Sequence, residues 1–460
     1  MPSQYARSSP GRGRSEKGHR GTGKVIGVTS SQKATRGKTG LFGLLGQGNL
    51  GNDGSLEAVL AYLREAHSDV VLDAMCSGPQ VVAERYGIPA ARLRWYNADS
   101  PRGSGAGALI HRALGLGAGT VVDTFRIASW VRRHDSVIVP GMGVLESTVP
   151  MRPWQTPYLM FLLCASGRLL RTRVALVSVG TNVVDQRLMR WLITSATRLA
   201  HYRSFRDTVS RDAMRRMGVD VSGDVVYPDV VFSLPTVPAE DGVPATVGVG
   251  VMDYSGANED RQRSDEIRAA YVGKMTQFVL WLVENDRQVR VFTSDLADEP
   301  IVAQILASVR ARYPERSSQV IAEPVTSMDE LIRQTASVGI VVATRYHNVL
   351  YALKLGRPTV AIGYAAKHDA LMADMGMSGY SQPARSLDVA RLIEQFTELE
   401  KQSADLRLVI TERNAAKARL VDGQFAALSA ALFPVGKPSA GTGPRAPAPA
   451  HSDALKGRPR

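Results

Sequence analysis

Cysteine is almost absent from this chain: Cys76 and Cys164 are the only two in 460 residues, far apart and each in apolar company. A disulfide framework is thereby excluded, and the fold must rest on its own cores. No apolar run reaches bilayer length, since the stretch from Tyr158 to Cys164 is much too short. The basic amino-terminal segment has no apolar h-region and does not read as a secretory signal. We therefore expect a cytoplasmic protein, with room for peripheral contact at the inner face of a membrane. Acids are scarce as well: 43 against 56 lysines and arginines, a formal charge of +13. That excess is localised. Residues 1–38 carry nine Lys/Arg and one acid, residues 435–460 carry five and one, so the ends account for +12 and the body for about +1. A basic groove for duplex DNA is not expected, and nucleic acid is not among the expected partners. The ends, 1–38 and 434–460, are rich in Gly, Ser, Pro and Arg and poor in apolar residues, the composition of disordered tails. They read as solvated linkers, or else as weak adhesion to anionic lipid at about 1 kcal/mol per well-placed cation. The histidines lack metal-ligand spacing, so no metal is expected.

From Thr39 onward, short apolar β-branched runs alternate with helical stretches, the pattern of an α/β protein with parallel sheets. The length allows two full cores. Strands are expected at 41–45, 70–72, 136–139, 174–179 and 202–205, with helices at 55–66, 155–170, 186–199 and 207–217. Residues 234–244 hold three prolines, two acids and a glycine and read as a linker. A second α/β run follows, with strands at 246–252, 289–293, 340–343 and 358–362 and helical patterns at 262–284, 300–312, 328–334, 387–400 and 406–432. We expect a domain at 39–236 and another at 245–433: two Rossmann-like α/β domains with parallel sheets facing a cleft.

Several constellations carry chemistry. The turn from Gly46 to Gly54 satisfies G-x-G-x-x-G between a strand and a helix, with Asp73 at the end of the next strand, which is the dinucleotide fingerprint. Yet Asn49 and Asp53 are well placed to cap the helix, which alone would justify the turn. Contact of Asn49 and Asp53 with an anion or an acceptor sugar also stays open. Gly141 and Gly143 follow an apolar strand and either let the backbone approach a ligand or simply turn the chain. Arg206 stands at a strand end before Asp207 and Ser210, as a surface cation or as a fork on a carboxylate or phosphate. Asp229 either orients a cation or caps a turn. The pair Asp295 and Asp298 reads as a solvated loop.

The segment from Val338 to Lys367 is the most informative. A buried strand at 340–343 ends just before Arg345 and His347, where a helix begins; a second strand ends before Tyr364 and Lys367. Adjacent parallel strands would deliver these residues to one carboxyl-end edge, where open α/β sheets bind ligands. Fixed cations, an imidazole and a helix N-terminus there favour a multiply charged anion.

Taken in order, Gly48-Asn49-Leu50-Gly51-Asn52-Asp53, Gly141 to Gly143, Arg206-Asp207-x-x-Ser210, Pro228-Asp229, Arg345-x-His347 and Tyr364-x-x-Lys367 resemble the polysaccharide pyruvyl transferase family. The resemblance runs from about Leu41 to Tyr380 and departs at Pro140 to Gly143, where many members carry a longer glycine run. It implies a two-domain architecture like that of GT-B glycosyltransferases, phosphoenolpyruvate as donor, and a sugar hydroxyl pair of a cell-wall polysaccharide precursor or glycolipid as acceptor, with no cofactor. It further implies catalytic roles for Arg206, His347 and Lys367, and substrate contacts from Arg345 and the other motif residues, Tyr364 included. The runner-up on the same framework is a nucleotide-sugar glycosyltransferase; a glycan-binding relative without catalysis is a third reading.

Overall fold

The computed structural model describes residues 37–95, 106–146, 152–235 and 245–433. The basic tails expected at 1–38 and 434–460 lie outside the described residues except for Gly37 and Lys38, and so does most of the expected linker.

The first half holds β1 (Lys38–Gly43), β2 (Val71–Cys76), β3 (Ala90–Arg92), β4 (Ser136–Pro140), β5 (Arg173–Val179) and β6 (Tyr202–Phe205). Its helices are α1 (Leu50–Ala66), α2 (Pro79–Tyr86), α3 (Ala106–Val131), α4 (Thr156–Leu170), α5 (Arg187–Leu199) and α6 (Thr208–Arg216). The second half holds β7 (Val247–Gly250), β8 (Val289–Phe292), β9 (Val320–Ile321), β10 (Ile340–Ala343), β11 (Thr359–Gly363) and β12 (Ser381–Pro383). Around them lie α7 (Ser264–Glu284), α8 (Glu299–Arg312), α9 (Met328–Ala336), α10 (Tyr346–Lys354), α11 (Ala366–Asp374), α12 (Val389–Lys401) and α13 (Ser403–Leu432).

The sheets are parallel, ordered β3-β2-β1-β4-β5-β6 and β12-β11-β10-β7-β8-β9. Counted from its own first strand, each runs 3-2-1-4-5-6, the doubly wound order that opens a crevice where the winding reverses. The two halves thus repeat in structure where no repeat is visible in sequence. The innermost strands β4, β7 and β10 are buried along their whole length, as their unbroken apolar runs require when helices cover both faces. The fold is two Rossmann-like halves facing a cleft, as the alternating pattern implied.

Local differences have local causes. α1 begins five residues before the expected Ser55, because Asn49 caps it by accepting a hydrogen bond from the Asn52 N–H. Gly51 and Gly54 are tolerated inside the helix because other side chains occupy the space of their missing methyls: a Cβ on Gly51 would fall 1.9 Å from the His347 ring, and one on Gly54 2.0 Å from the Tyr351 hydroxyl. Asp73 is not at a strand end but within β2, paired with Lys38 and His134 at 2.7 Å each, so it has no ribose to meet.

α13 belongs to both halves. Its first turns donate from Asn414 to the Leu353 and Lys354 carbonyls on the second half (2.8 and 3.0 Å). Farther on, the Gln424 amide donates to Ser178 and Ser204 of the first sheet (2.7 and 2.9 Å), and Phe425 stacks on Tyr62 with ring centroids 4.3 Å apart.

Candidate functional site

Both sheets point their carboxyl ends into one cleft of about 330 Å³. After β10, Thr344 still pairs with Gly250 (2.9 Å), and Arg345 then takes an extended conformation that starts α10. Tyr346 and His347 are therefore in the first turn of that helix. β11, paired in parallel beside β10, leads through Tyr364 to Lys367 in the first turn of α11. Neither helix has a side-chain cap at its N-terminus, so two positive dipole ends converge on the cleft. From the first half come Gly143 and Glu146 after β4, Arg206 after β6, and Asn49 at the start of α1.

Of the residues expected at the site, Asn49, Gly143, Arg206, Arg345, His347, Tyr364 and Lys367 line this cleft. Asp53, Gly141, Ser210 and Asp229 do not. Asp53 accepts the Gly46 N–H at 2.7 Å, which closes the glycine turn. The Gly141 carbonyl accepts from Ser55 at 2.7 Å, and the Ser210 hydroxyl accepts the Thr181 N–H at 3.1 Å. Asp229 caps a short turn through Val231 and lies behind Arg206. Burial pushes the Asp229 carboxyl up to about 6, against the pull of the Arg206 guanidinium. These four hold the walls rather than the contents.

The structure adds residues the motifs did not single out. Glu146, buried, accepts hydrogen bonds from Arg206 and, at 2.8 Å, from Lys367. Burial alone would raise its carboxyl, but Arg206 and Lys367 prevail and hold it at about 2. Tyr346 is the shared platform: the Arg206 guanidinium lies 4.7 Å and the Lys367 ammonium 5.3 Å from its ring centre. Asp295 and Asp298 are not the solvated loop expected. Asp298 is fully buried and takes Arg345 bidentately at 2.6 and 2.8 Å; Asp295 lies 3.5 Å from the same guanidinium and accepts from Asn49 at 3.2 Å. A shielded carboxylate holds a buried arginine firmly and offsets its charge, which is why this loop folds inward.

The site is therefore a set of balanced ion pairs, with each cation fixed by a carboxylate. His347 is the exception. Its Nε2 is buried and has no hydrogen-bond partner among the described residues. Burial first, then Arg206 and Lys367, push its imidazole down to about 3, so it stands neutral in the free site. Arg206 Nε is likewise buried without a hydrogen bond. Such orphaned groups beside a cleft are where a polar ligand restores the lost bonding.

The described residues contain no group of three or more His, Cys, Asp or Glu arranged to hold a metal ion, and no helix long and apolar enough to cross a membrane.

Among solved structures, the chain is similar to UDP-GlcNAc 2-epimerase from Neisseria meningitidis bound to UDP-GlcNAc (10% identity, 85% of this chain and 99% of that one, TM-score 0.51). It is also similar to S. aureus MnaA solved with UDP (9% identity, 87% and 98%, TM-score 0.55) and to Anabaena HepE solved with UDP-glucose (12% identity, 85% and 98%, TM-score 0.52). At such identities the likeness concerns the fold, which is of the GT-B type. No curated protein sequence matches the chain. Residues 49–365, which carry the glycine turn from Asn49 onward, both arginines, His347 and Tyr364, match the profile described as Polysaccharide pyruvyl transferase. The chain belongs to the polysaccharide pyruvyl transferase family.

Proposed function

We propose that the chain moves the pyruvyl unit of phosphoenolpyruvate onto a hydroxyl pair of a polysaccharide precursor or glycolipid, leaving a pyruvate ketal and phosphate. The observation that carries this reading is the meeting of Arg206, Lys367, Arg345 and the unpartnered His347 Nε2 at two uncapped helix N-termini. Phosphoenolpyruvate presents a carboxylate and a phosphate about as far apart as neighbouring guanidinium and ammonium groups can bridge.

The steps balance without a cofactor. As the first acceptor hydroxyl adds to C2, its proton passes by way of His347 to the methylene carbon, so that C2 becomes oxocarbenium-like and takes the acceptor oxygen. The second acceptor oxygen then bonds to C2 while the C2–O bond to phosphate breaks; its proton leaves with the phosphate. Glu146, held near 2, stays ionised throughout and serves as the counter-charge that aligns Arg206 and Lys367. His347, neutral in the free site, accepts the hydroxyl proton; the arriving anion raises its basicity by offsetting the two cations beside it.

The test incubates the protein with phosphoenolpyruvate and a panel of glycolipid and polysaccharide extracts. Phosphate release with a product mass gain matching a pyruvate ketal supports the reading; no release with any acceptor counts against it. A second reading, transfer of a sugar from a nucleotide, is favoured by the UDP-bound state of similar folds. Thermal stabilisation by UDP-GlcNAc with indifference to phosphoenolpyruvate would select it.

A further inference from the structure

Helices α3, α4 and α5 lie side by side as one layer on the first half: Thr124 on α3 meets Tyr158 on α4 at 2.9 Å, and Phe161 on α4 packs on Trp191 of α5 with ring centroids 5.0 Å apart. Their inner faces are ordinary core, with Leu159, Leu163, Met189 and Ile193 buried. The outer face is not an ordinary surface. Phe125 is 72% exposed, Leu169 83%, Leu188 57%, Val121 56% and Trp191 53%. Apolar surface gathered on one layer marks a contact site, whereas scattered single residues do not.

The charge on the same layer is one-sided. Between residues 106 and 200 the sequence holds eleven arginines, six of them on α3, α4 and α5, no lysine and four acids. Glu146 is committed to the cleft, and Asp123 is buried against Arg126 at 2.9 Å. That leaves Asp135 and Asp185 outside the cleft, while α4 and α5 contain no acid at all. Arg168 and Arg187 are exposed beside Leu169 and Leu188, each placing a guanidinium next to a bare aliphatic chain.

We propose that this layer is a membrane-contact surface that rests on an anionic bilayer. Aromatic and aliphatic side chains at the headgroup boundary, ringed by arginines that reach phosphate, are what such a surface requires. A protein partner would call for mixed charge on the rim; a rim of arginines whose exposed acid, Asp185, is already paired with Arg190 at 3.4 Å matches a sheet of phosphodiesters. Because helices of a doubly wound sheet run opposite to its strands, the N-terminal ends of α4 and α5, with Trp154 and Leu188, lie at the cleft end of the sheet. A protein lying on this layer would hold its cleft beside the lipid surface. The inference does not depend on phosphoenolpyruvate being the donor.

The test is co-sedimentation of the full chain with phosphatidylcholine vesicles and with vesicles containing phosphatidylglycerol. Binding is expected only to the anionic vesicles, with a blue shift of tryptophan emission. Phe125→Ser with Trp191→Ser should weaken binding at least tenfold, and Arg168→Glu with Arg187→Glu should do the same, while thermal stabilisation by phosphoenolpyruvate is unchanged. Binding by both variants as strong as that of the unaltered chain would assign adhesion to the basic tails and overturn the proposal. So would absence of binding by the unaltered chain, or a stable dimer in light scattering that the Phe125/Trp191 variant dissociates. Binding lost in the variants with no phosphoenolpyruvate effect in any protein would uphold the surface and sink the donor assignment alone.

Discussion

Replacing Glu146 with glutamine should weaken the protein and tighten its hold on the donor, two effects of opposite sign from one atom. The carboxylate is buried against Arg206 and Lys367 and held at about 2, where an ordinary glutamate titrates at 4.5. That gap corresponds to about 3 kcal/mol of preference for the charged form in the folded state. A folded value below the unfolded one means the contribution is complete above pH 4.5 and is lost as pH falls toward 2. Glu146→Gln leaves two shielded cations facing an amide, a loss of about 3–5 kcal/mol for a broken buried pair. At about 2–4 °C per kcal/mol for a unit the size of one half, melting should fall by roughly 6–20 °C. Phosphoenolpyruvate, no longer competing with a resident carboxylate, should bind at least tenfold tighter, about 1.4 kcal/mol. The assay is thermal melting across a phosphoenolpyruvate titration, with calorimetry for affinity. An unchanged melting point, or a variant that the donor stabilises less than it does the parent, would refute the reasoning.

Other perturbations test neighbouring parts. His347→Asn should lower turnover by about 10²–10⁴ with the melting point preserved, the scale of a lost proton-transfer group, read from phosphate release. Acid should destabilise the protein already below pH 6.5, through its buried histidines. Fully buried His368 is pushed from 6.5 down to about 3, so its contribution is present above 6.5 and should shrink by about 2 kcal/mol between pH 6.5 and pH 5, seen in urea unfolding. Asp298→Asn should cost about 3–5 kcal/mol and raise the KM for phosphoenolpyruvate, because Arg345 loses its bidentate anchor. Gly51→Ala should displace the His347 ring, since the added methyl would overlap it. Activity should fall by roughly tenfold, at a stability cost of about 1–3 kcal/mol.

Much of the frame was legible because short apolar runs such as 340–343 can only be central strands when helices flank them. The gathering of Arg345, His347 and Lys367 followed from two such strands being neighbours, and Arg206 from a strand end before a capping Asp207. α3 escaped notice because its glycines and alanines give no clear periodicity. Glu146 escaped because an acid in a loop looks solvated. One signal was there: it is the only acid between Asp135 and Asp185, in a stretch otherwise populated by arginines. Asp53 and Asp298 were misjudged in opposite directions. A carboxylate's spacing does not reveal whether its partner is a nearby backbone N–H, as for Asp53, or an arginine 47 residues away, as for Asp298.

The long last helix constrains how such proteins can be recombined. Since it grips helix α10 of the second half near Asn414 and the first sheet near Gln424, a graft joining the front of one relative to the back of another inherits a mismatched seam midway along a single helix. Exchanges that keep residues beyond about Lys417 with the front donor should give soluble hybrids, and those that cut at the linker alone should not.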